Sequence, residues 1–297
     1  MTLITLGRRR GVVGALPPAT ETAPYGAVTL CTMPPYTNGN LNSIHPSVHD
    51  FGAKWNGYRW WMANTPYPPE PDENPCIYVS NDMVNWEFAP GAPVPIDPTP
   101  TVGYNSDTEL CVDDAGNLVC FYRDANPQTG NARILARVSP DGSTWGDEVV
   151  VIGSGGLMSP AVVRWAAGDF RMWLIGDGTV YLRASHPLGP WEFQTDPTVT
   201  YSYHGDVIRC GNILLMANRA GNAVYCYRST DGGSTWLLGP APVASGGLVA
   251  PYRCTIAISD KPGWIDMWYA GTGTGSPIPN SETRTVYTRV PLSAFGV

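Results

Sequence analysis

The feature that most constrains the fold is a unit of three short strands that recurs five times along the chain. The copies begin at residues 44, 106, 158, 203 and 250, and in the first four a turn ending in tryptophan follows the third strand. The first strands read IHPSVHDF, SDTELCVDD, MSPAVVRW, YHGDVIRC and APYRCTIAI. These runs are rich in β-branched and aromatic residues, and no segment has a helical apolar period of useful length. Repeats of this length are typical of a five-bladed β-propeller.

Closure of the ring is predicted to depend on the N-terminal region. A fourth strand is expected after each of the four tryptophans, but the fifth copy has no such segment before Val297. The run AVTLCTM (27–33) is predicted to supply this strand and so to remove an exposed sheet edge. We therefore expect an all-β fold, a single five-bladed propeller of four-stranded blades over residues 27–297. Residues 1–26 are expected to form either an attachment arm or a disordered tail.

Charge and hydropathy argue against two classes of partner. The net charge is −7 at pH 7, which disfavours binding to nucleic acid or to an anionic membrane. No apolar run approaches the roughly 20 residues of a membrane-spanning helix, and we expect no signal peptide. The seven cysteines fit no zinc spacing, and no metal or cofactor is assigned. Cys111 and Cys120 could face each other across a hairpin, but two buried thiols are expected in the absence of an export signal.

The turns that precede the tryptophans have a recognisable pattern. The segments SPDGSTW (139–145) and STDGGSTW (229–236) resemble the Asp-box of sialidase-type propellers, and SNDMVNW (80–86) is a weaker copy. In such a turn the aspartate accepts backbone N–H bonds and glycine takes a positive φ. We therefore expect Asp82, Asp141 and Asp231 to stabilise turns rather than to catalyse.

Candidate site residues follow from propeller geometry, in which the first strands line the axis and begin on one face. The predicted ligand-binding residues are His45, Tyr67, Asp107, Ser159, His204, Asp206 and Arg253, with Glu109 added if the pleat turns it inward. The candidate acids are Glu73, Asp107, Asp177 and Asp206, and Arg123 and Arg219 lie in the surrounding loops. Paired donors, acceptors and aromatic rings suit a sugar, although a wet central channel would need polar groups as well. In the second strand of the first blade, at least one of Trp60 and Trp61 should pack between blades.

The blade pattern resembles the five-bladed glycosidases, above all the family-43 arabinanases and xylosidases. That resemblance implies three catalytic carboxylates, of which Asp107 occupies a comparable place, and His204-Gly205 matches a His-Gly pair near the axis. The base position of the family holds His45-Pro46 here, and the acid position falls in residues 158–160, which hold no carboxylate. Because glycoside hydrolysis ordinarily needs two flanking carboxyl groups, we expect efficient hydrolysis to be absent unless the acids are relocated.

A second resemblance, to an uncharacterised five-bladed group of phage tail and bacterial surface proteins, rests on WNGYRWWMANTPYP (55–68) and ENPCIYVSND (73–82). It implies a homo-oligomeric virion protein, assembled in the host cytoplasm, that contacts other tail proteins and a host-surface glycan. The main expectation is thus a non-enzymatic, glycan-binding tail component. The alternatives are a glycoside hydrolase acting on host cell-wall polysaccharide and a structural virion decoration protein.

Overall fold

The computed structural model describes residues 27–68, 72–126, 131–155, 159–176, 178–200, 202–243, 251–273, 278–279 and 281–297. The predicted arm over residues 1–26 lies outside these ranges. The described residues form five antiparallel sheets of four strands each, which confirms the all-β, five-bladed propeller. One short 3-10 helix, Leu292–Phe295, follows the last strand. No helix in the described part of the chain combines the length and hydropathy that a bilayer crossing requires.

Each blade is built from consecutive strands, counted here from the axis outwards. Blade 1 holds β2 (Ser43–Trp55), β3 (Tyr58–Pro66), β4 (Cys76–Ser80) and β5 (Glu87–Phe88). Blade 2 holds β6 (Tyr104–Val112), β7 (Leu118–Asn126), β8 (Asn131–Ser139) and β9 (Val149–Gly155). Blade 3 holds β10 (Ser159–Ala166), β11 (Asp169–Gly176), β12 (Gly178–Ala184) and β13 (Glu192–Phe193). Blade 4 holds β14 (His204–Cys210), β15 (Ile213–Ala220), β16 (Ala223–Ser229) and β17 (Leu237–Leu238).

Blade 5 closes the ring with a strand from the other end of the chain. It holds β18 (Pro251–Ile258), β19 (Trp264–Thr272), β20 (Thr283–Pro291) and, outermost, β1 (Thr29–Leu30). The N–H of Cys31 donates to the carbonyl of Thr285 in blade 5 at 3.0 Å, and the N–H of Thr32 donates to the carbonyl of Val84 beside blade 1 at 2.9 Å. The N-terminal segment thus joins the last blade to the first, as the sequence predicts.

Apolar side chains fill the space between neighbouring blades. The described residues contain a cluster of buried apolar side chains at each of the five blade interfaces. Both tryptophans of β3 are buried, on opposite faces of the blade: Trp60 packs against Trp268 of blade 5, and Trp61 faces blade 2. The prediction for this pair is confirmed, because alternation along a strand sends neighbouring side chains to opposite sheet faces.

The Asp-box turns have the structural role predicted for them. Asp141 Oδ1 accepts the N–H groups of Ser143 at 2.8 Å and of Thr144 at 2.7 Å. Asp82 and Asp231 bind the backbone of their own turns in the same way. A Cβ at Gly142 would lie 2.2 Å from Trp61, so this turn also seats a blade-1 side chain.

All seven cysteines are free. Cys111 pairs with Val119 across the hairpin and Cys120 pairs with Leu110, so the two cysteine side chains face opposite sides of blade 2. They lie in different interface clusters, as two buried thiols.

Candidate functional site

The inner strands β2 and β6 begin with strained, bulged backbone. His45 has φ of 60° and Asp107 has φ of 55°, although neither is glycine. Each lies in a register shift, between Ile44 and Ser47 in one strand and between Ser106 and Glu109 in the other. Bulges re-aim side chains, and strained residues of this kind concentrate at functional sites. We call the face where the inner strands begin the entry face, and the opposite one the exit face.

Both strained residues contribute to a buried group at the entry face, the axial cluster of His45, Glu73, Asp107, Ser159 and His204. Asp107 lies at its centre: Oδ1 accepts the hydroxyl of Ser159 at 2.7 Å and lies 3.1 Å from Nδ1 of His204. Nε2 of His45 lies 3.6 Å from the same oxygen, and Nδ1 of His45 lies 3.7 Å from Oε2 of Glu73. Four blades and the loop after β3 therefore contribute to one cluster.

Arg123 completes the surroundings of the Asp107 carboxylate. Its Nη1 donates to Asp107 Oδ2 at 3.0 Å. Burial alone would raise the pKa of Asp107, but His45, His204 and Arg123 hold that pKa well below its ordinary value. Burial lowers the pKa of His45 to about 3 and also lowers the pKa of His204. At neutral pH the Asp107 carboxylate is therefore ionised and paired with the Arg123 guanidinium, while burial favours the neutral forms of His45 and His204.

Ser159 does not have the geometry of a nucleophile. Its Oγ lies 2.6 Å from Nδ1 of His204, but that nitrogen also faces the carboxylate of Asp107. A serine–histidine–aspartate triad uses the two ring nitrogens separately, one for the serine and one for the aspartate. Ser159 is also fully buried. Its hydroxyl instead contacts both His204 and Asp107 and so fixes their positions relative to each other.

Three members of the axial cluster could hold a metal ion. Ligand atoms of His45, Asp107 and His204 lie within 4.8 Å of one another, and all three residues are buried. Among the described residues, Nε2 of each histidine has no hydrogen-bond partner. Nδ1 of His204 lies 3.1 Å from Asp107, a contact that fixes the orientation of the imidazole ring. Two imidazoles and one carboxylate suit a divalent transition metal. No metal site is predicted from the sequence, because no two of these three residues lie close together in it.

Two tyrosines outside the predicted set of site residues form a wall of the site. The ring of Tyr203 lies 4.3 Å from the ring of His204, and the ring of Tyr252 lies 4.6 Å from it. Tyr252 also lies 5.4 Å from the ring of His45. Each tyrosine comes directly before a residue that was selected, His204 or Arg253, so the signal was present in the sequence. Such rings can cover the C–H face of a sugar.

Asp206 and Arg253 lie next to the axial cluster rather than in it. Arg253 is fully buried, and its Nη2 donates to Oε2 of Glu109 at 3.1 Å and to the carbonyl of Pro160 at 3.0 Å. Asp206 Oδ2 accepts the hydroxyl of Thr255 and the N–H of Ile256, both at 2.8 Å. These contacts join blades 2, 3, 4 and 5 around the axis, and burial raises the pKa of both Glu109 and Asp206.

The positions of the remaining predicted residues, Tyr67 and Asp177, do not connect them to the axial cluster. Tyr67 follows β3, is partly exposed, and donates its backbone N–H to the carbonyl of Asn42 at 3.3 Å. Asp177 lies outside the described residues. A separate cavity of about 470 Å³ opens towards the exit face, between the later halves of the inner strands. Val48, Leu110, Val162, Val207 and Ile256 line it, and none of the axial cluster does.

Comparisons with known proteins point to enzymes that act on carbohydrates. No protein-family model matches the chain. The chain is 30% identical over 213 residues to the A type blood N-acetyl-α-D-galactosamine deacetylase of Flavonifractor plautii. That match covers 65% of this chain, which spans only 25% of the length of that relative.

Solved structures show the same fold at lower identity. The structure of an N-acetylgalactosamine deacetylase from F. plautii, in complex with blood group B trisaccharide, superimposes with a TM-score of 0.74 at 19% identity. It covers 92% of this chain and 96% of that one. A family-43 β-xylosidase/α-arabinofuranosidase from a compost microbial metagenome gives a TM-score of 0.58 at 13% identity, covering 88% and 94%. The predicted likeness to family-43 propellers is thereby confirmed.

The predicted non-enzymatic role in a phage tail is wrong. The similar proteins are a deacetylase and glycoside hydrolases, which favours the enzymatic alternative, and nothing in these comparisons indicates a relationship with tail proteins. The sequence analysis expected low activity because two family-43 carboxylates are missing. The predicted homo-oligomeric state and virion location are not tested by these observations and stay predictions.

Proposed function

We propose that the chain is a carbohydrate-active hydrolase that removes the N-acetyl group from an acetamido sugar. The observation that carries the proposal is the axial cluster, in which His45, Asp107 and His204 converge beside Glu73. Its chemistry suits amide hydrolysis better than glycoside hydrolysis. The name of the F. plautii relative, a deacetylase of N-acetyl-α-D-galactosamine, supports the same substrate class.

The residues of the cluster would take distinct parts in this reaction. A divalent ion bound by His45, Asp107 and His204 would polarise the amide carbonyl and lower the pKa of a water. Ser159 and Arg123 hold the carboxylate of Asp107 in place and keep it ionised. Glu73 is buried beside His45, where it can accept the proton of a water that adds to the carbonyl carbon. The C–N bond then breaks, the proton passes to the amine, and acetate leaves.

The runner-up is a glycoside hydrolase, favoured by the family-43 fold and by two carboxylates, Glu73 and Asp107, on either side of His45. A general acid needs a raised pKa, however, and the pKa of Asp107 is held well below its ordinary value. Asp206 has the raised pKa, but its carboxylate is bound to blade 5. The geometry thus supports deacetylation over glycoside cleavage.

The test measures two products from one set of substrates. The purified chain, supplied with Zn²⁺, Mn²⁺ or Co²⁺ after chelator treatment, is incubated with N-acetylgalactosaminides and N-acetylglucosaminides. We expect acetate to be released while the glycosidic bond stays intact, and chelation to abolish the release. Glu73→Gln should lower kcat by about 10²–10⁴, the usual contribution of a general base. Asp107→Asn should weaken metal binding measured by calorimetry.

The matched control is Asp141→Asn, which makes the same change in an exposed turn at the exit face and should leave acetate release unchanged. If free sugar is released without acetate, and this release depends on Glu73 and Asp107, the protein is a glycoside hydrolase rather than a deacetylase. If neither acetate nor free sugar is released from any substrate, although the metal is shown to be bound, the proposal is overturned.

A further inference from the structure

Arg219 lies beside the axial cluster but belongs to none of its contacts. It is near the end of β15 and is the direct cross-strand neighbour of His204. Its guanidinium carbon lies 5.2 Å from the ring centre of Tyr203 and 5.3 Å from that of Tyr252. The two tyrosines that wall the site therefore also flank this cation.

The neighbouring arginines each form an ion pair with a carboxylate, but Arg219 forms none with the described residues. Arg123 pairs with Asp107 and Arg253 pairs with Glu109. No carboxylate of the described residues lies within 4 Å of Arg219, and its buried Nε has no hydrogen-bond partner among them. A partly buried cation whose Nε–H group has no partner is costly unless an anion or another acceptor meets it.

We propose that Arg219 binds an anionic group of the substrate, so that the preferred substrate is an acidic glycan bearing the acetamido sugar. This inference rests on the proposed function and names its substrate class. A guanidinium presents a planar fork that matches a carboxylate or a sulfate ester with two parallel hydrogen bonds. The flanking tyrosine rings lie within cation–π distance of the guanidinium and so favour its position beside the site. The net charge of −7 gives no general attraction for anions, so recognition must depend on this local contact.

The test compares matched pairs of oligosaccharides that carry the same acetamido sugar. In the first pair the second sugar is a uronic acid in the acidic member and its carboxyl-reduced form in the neutral member. In the second pair the second sugar carries a sulfate ester in the acidic member and none in the neutral member. We expect the wild-type protein to prefer at least one acidic member by tenfold or more in kcat/KM. Arg219→Gln should bring that ratio to about one, and Arg219→Lys should retain part of it. The preferred pair identifies the anion as carboxylate or sulfate.

The control is Arg209→Gln, since Arg209 also stacks on an aromatic ring, Trp165, but lies near the far end of β14. It should leave the acidic-to-neutral ratio unchanged. A ratio of about one in the wild-type protein, or an equal fall for both members of a pair in Arg219→Gln, would overturn the inference. Calorimetry with the deacetylated acidic product separates the two proposals. Binding that depends on Arg219 without any acetate release supports the anion contact and overturns deacetylation.

Discussion

At the scale of single residues, the site depends on backbone that few side chains tolerate. His45 and Asp107 have φ of 60° and 55°, which for a residue other than glycine costs about 1–2 kcal/mol. Their bulges turn both side chains towards the axis, where they meet His204. Strain at these positions is therefore the structural requirement for assembling the cluster from separate strands.

This strain can be measured by two substitutions at one position. His45→Ala and His45→Gly both remove the imidazole, but only glycine adopts positive φ freely. In an ordinary strand alanine is the more stable of the two by about 0.5–1 kcal/mol. At His45 we expect the reverse, with His45→Gly more stable than His45→Ala by about 1 kcal/mol in urea denaturation. An alanine variant as stable as the glycine variant would contradict the positive φ.

The same bulges explain which site residues the sequence could identify. The sequence predicts His45, Asp107, Ser159 and His204 because each lies at or near the start of an inner strand. Arg253 was chosen for the site, but the register of β18 shifts between Pro251 and Cys254, and Tyr252 stands beside the histidines instead. A shift of one residue exchanges the two faces of a strand, and no local pattern in APYRC reveals it.

At the scale of elements, the Asp-box turns connect neighbouring blades as well as closing their own. Gly142 of blade 2 lies against Trp61 of blade 1, and Gly233 of blade 4 lies against Trp173 of blade 3. The turn pattern and the buried tryptophans were both visible in the sequence. Their contact was not, because it joins segments about sixty to eighty residues apart in sequence.

The contact predicts different costs for two glycine substitutions with similar backbone. Gly142 has φ of 77° and Gly116 has φ of 87°, but a Cβ at Gly116 would meet nothing within 4 Å. Gly116→Ala should cost about 1–2 kcal/mol from backbone strain alone. Gly142→Ala should cost a further 1–3 kcal/mol, roughly the usual price of overpacking, because Trp61 must move. Equal midpoints for the two variants in urea denaturation would show that Trp61 does not press on this turn.

At the scale of the whole molecule, five similar blades make one closed ring around a single site. The repeat, the number of blades and the closing strand could all be predicted, because each depends on local strand and turn patterns that recur. The substrate could not, because it depends on which side chains converge at the axis from separate blades. The non-enzymatic prediction was wrong for this reason, because two carboxylates missing from the family-43 positions say nothing about groups that converge from other positions.

The closing strand provides the last prediction, a comparison of two truncations. Removal of residues 1–26 leaves β1 and the bonds of Cys31 to Thr285 and of Thr32 to Val84, whereas removal of residues 1–32 deletes β1, both bonds and the buried side chain of Cys31. The longer truncation should lower the free energy of unfolding by at least about 3 kcal/mol, because it removes core packing and ladder hydrogen bonds.

It should also expose the edge of β20, so that the protein self-associates on a sizing column. The shorter truncation is the control for both measurements. If the two truncated proteins unfold at the same denaturant concentration and elute at the same apparent mass, β1 does not hold the ring closed. The blades would then be stable through their interfaces alone, and the site at the axis would not depend on the N-terminal strand.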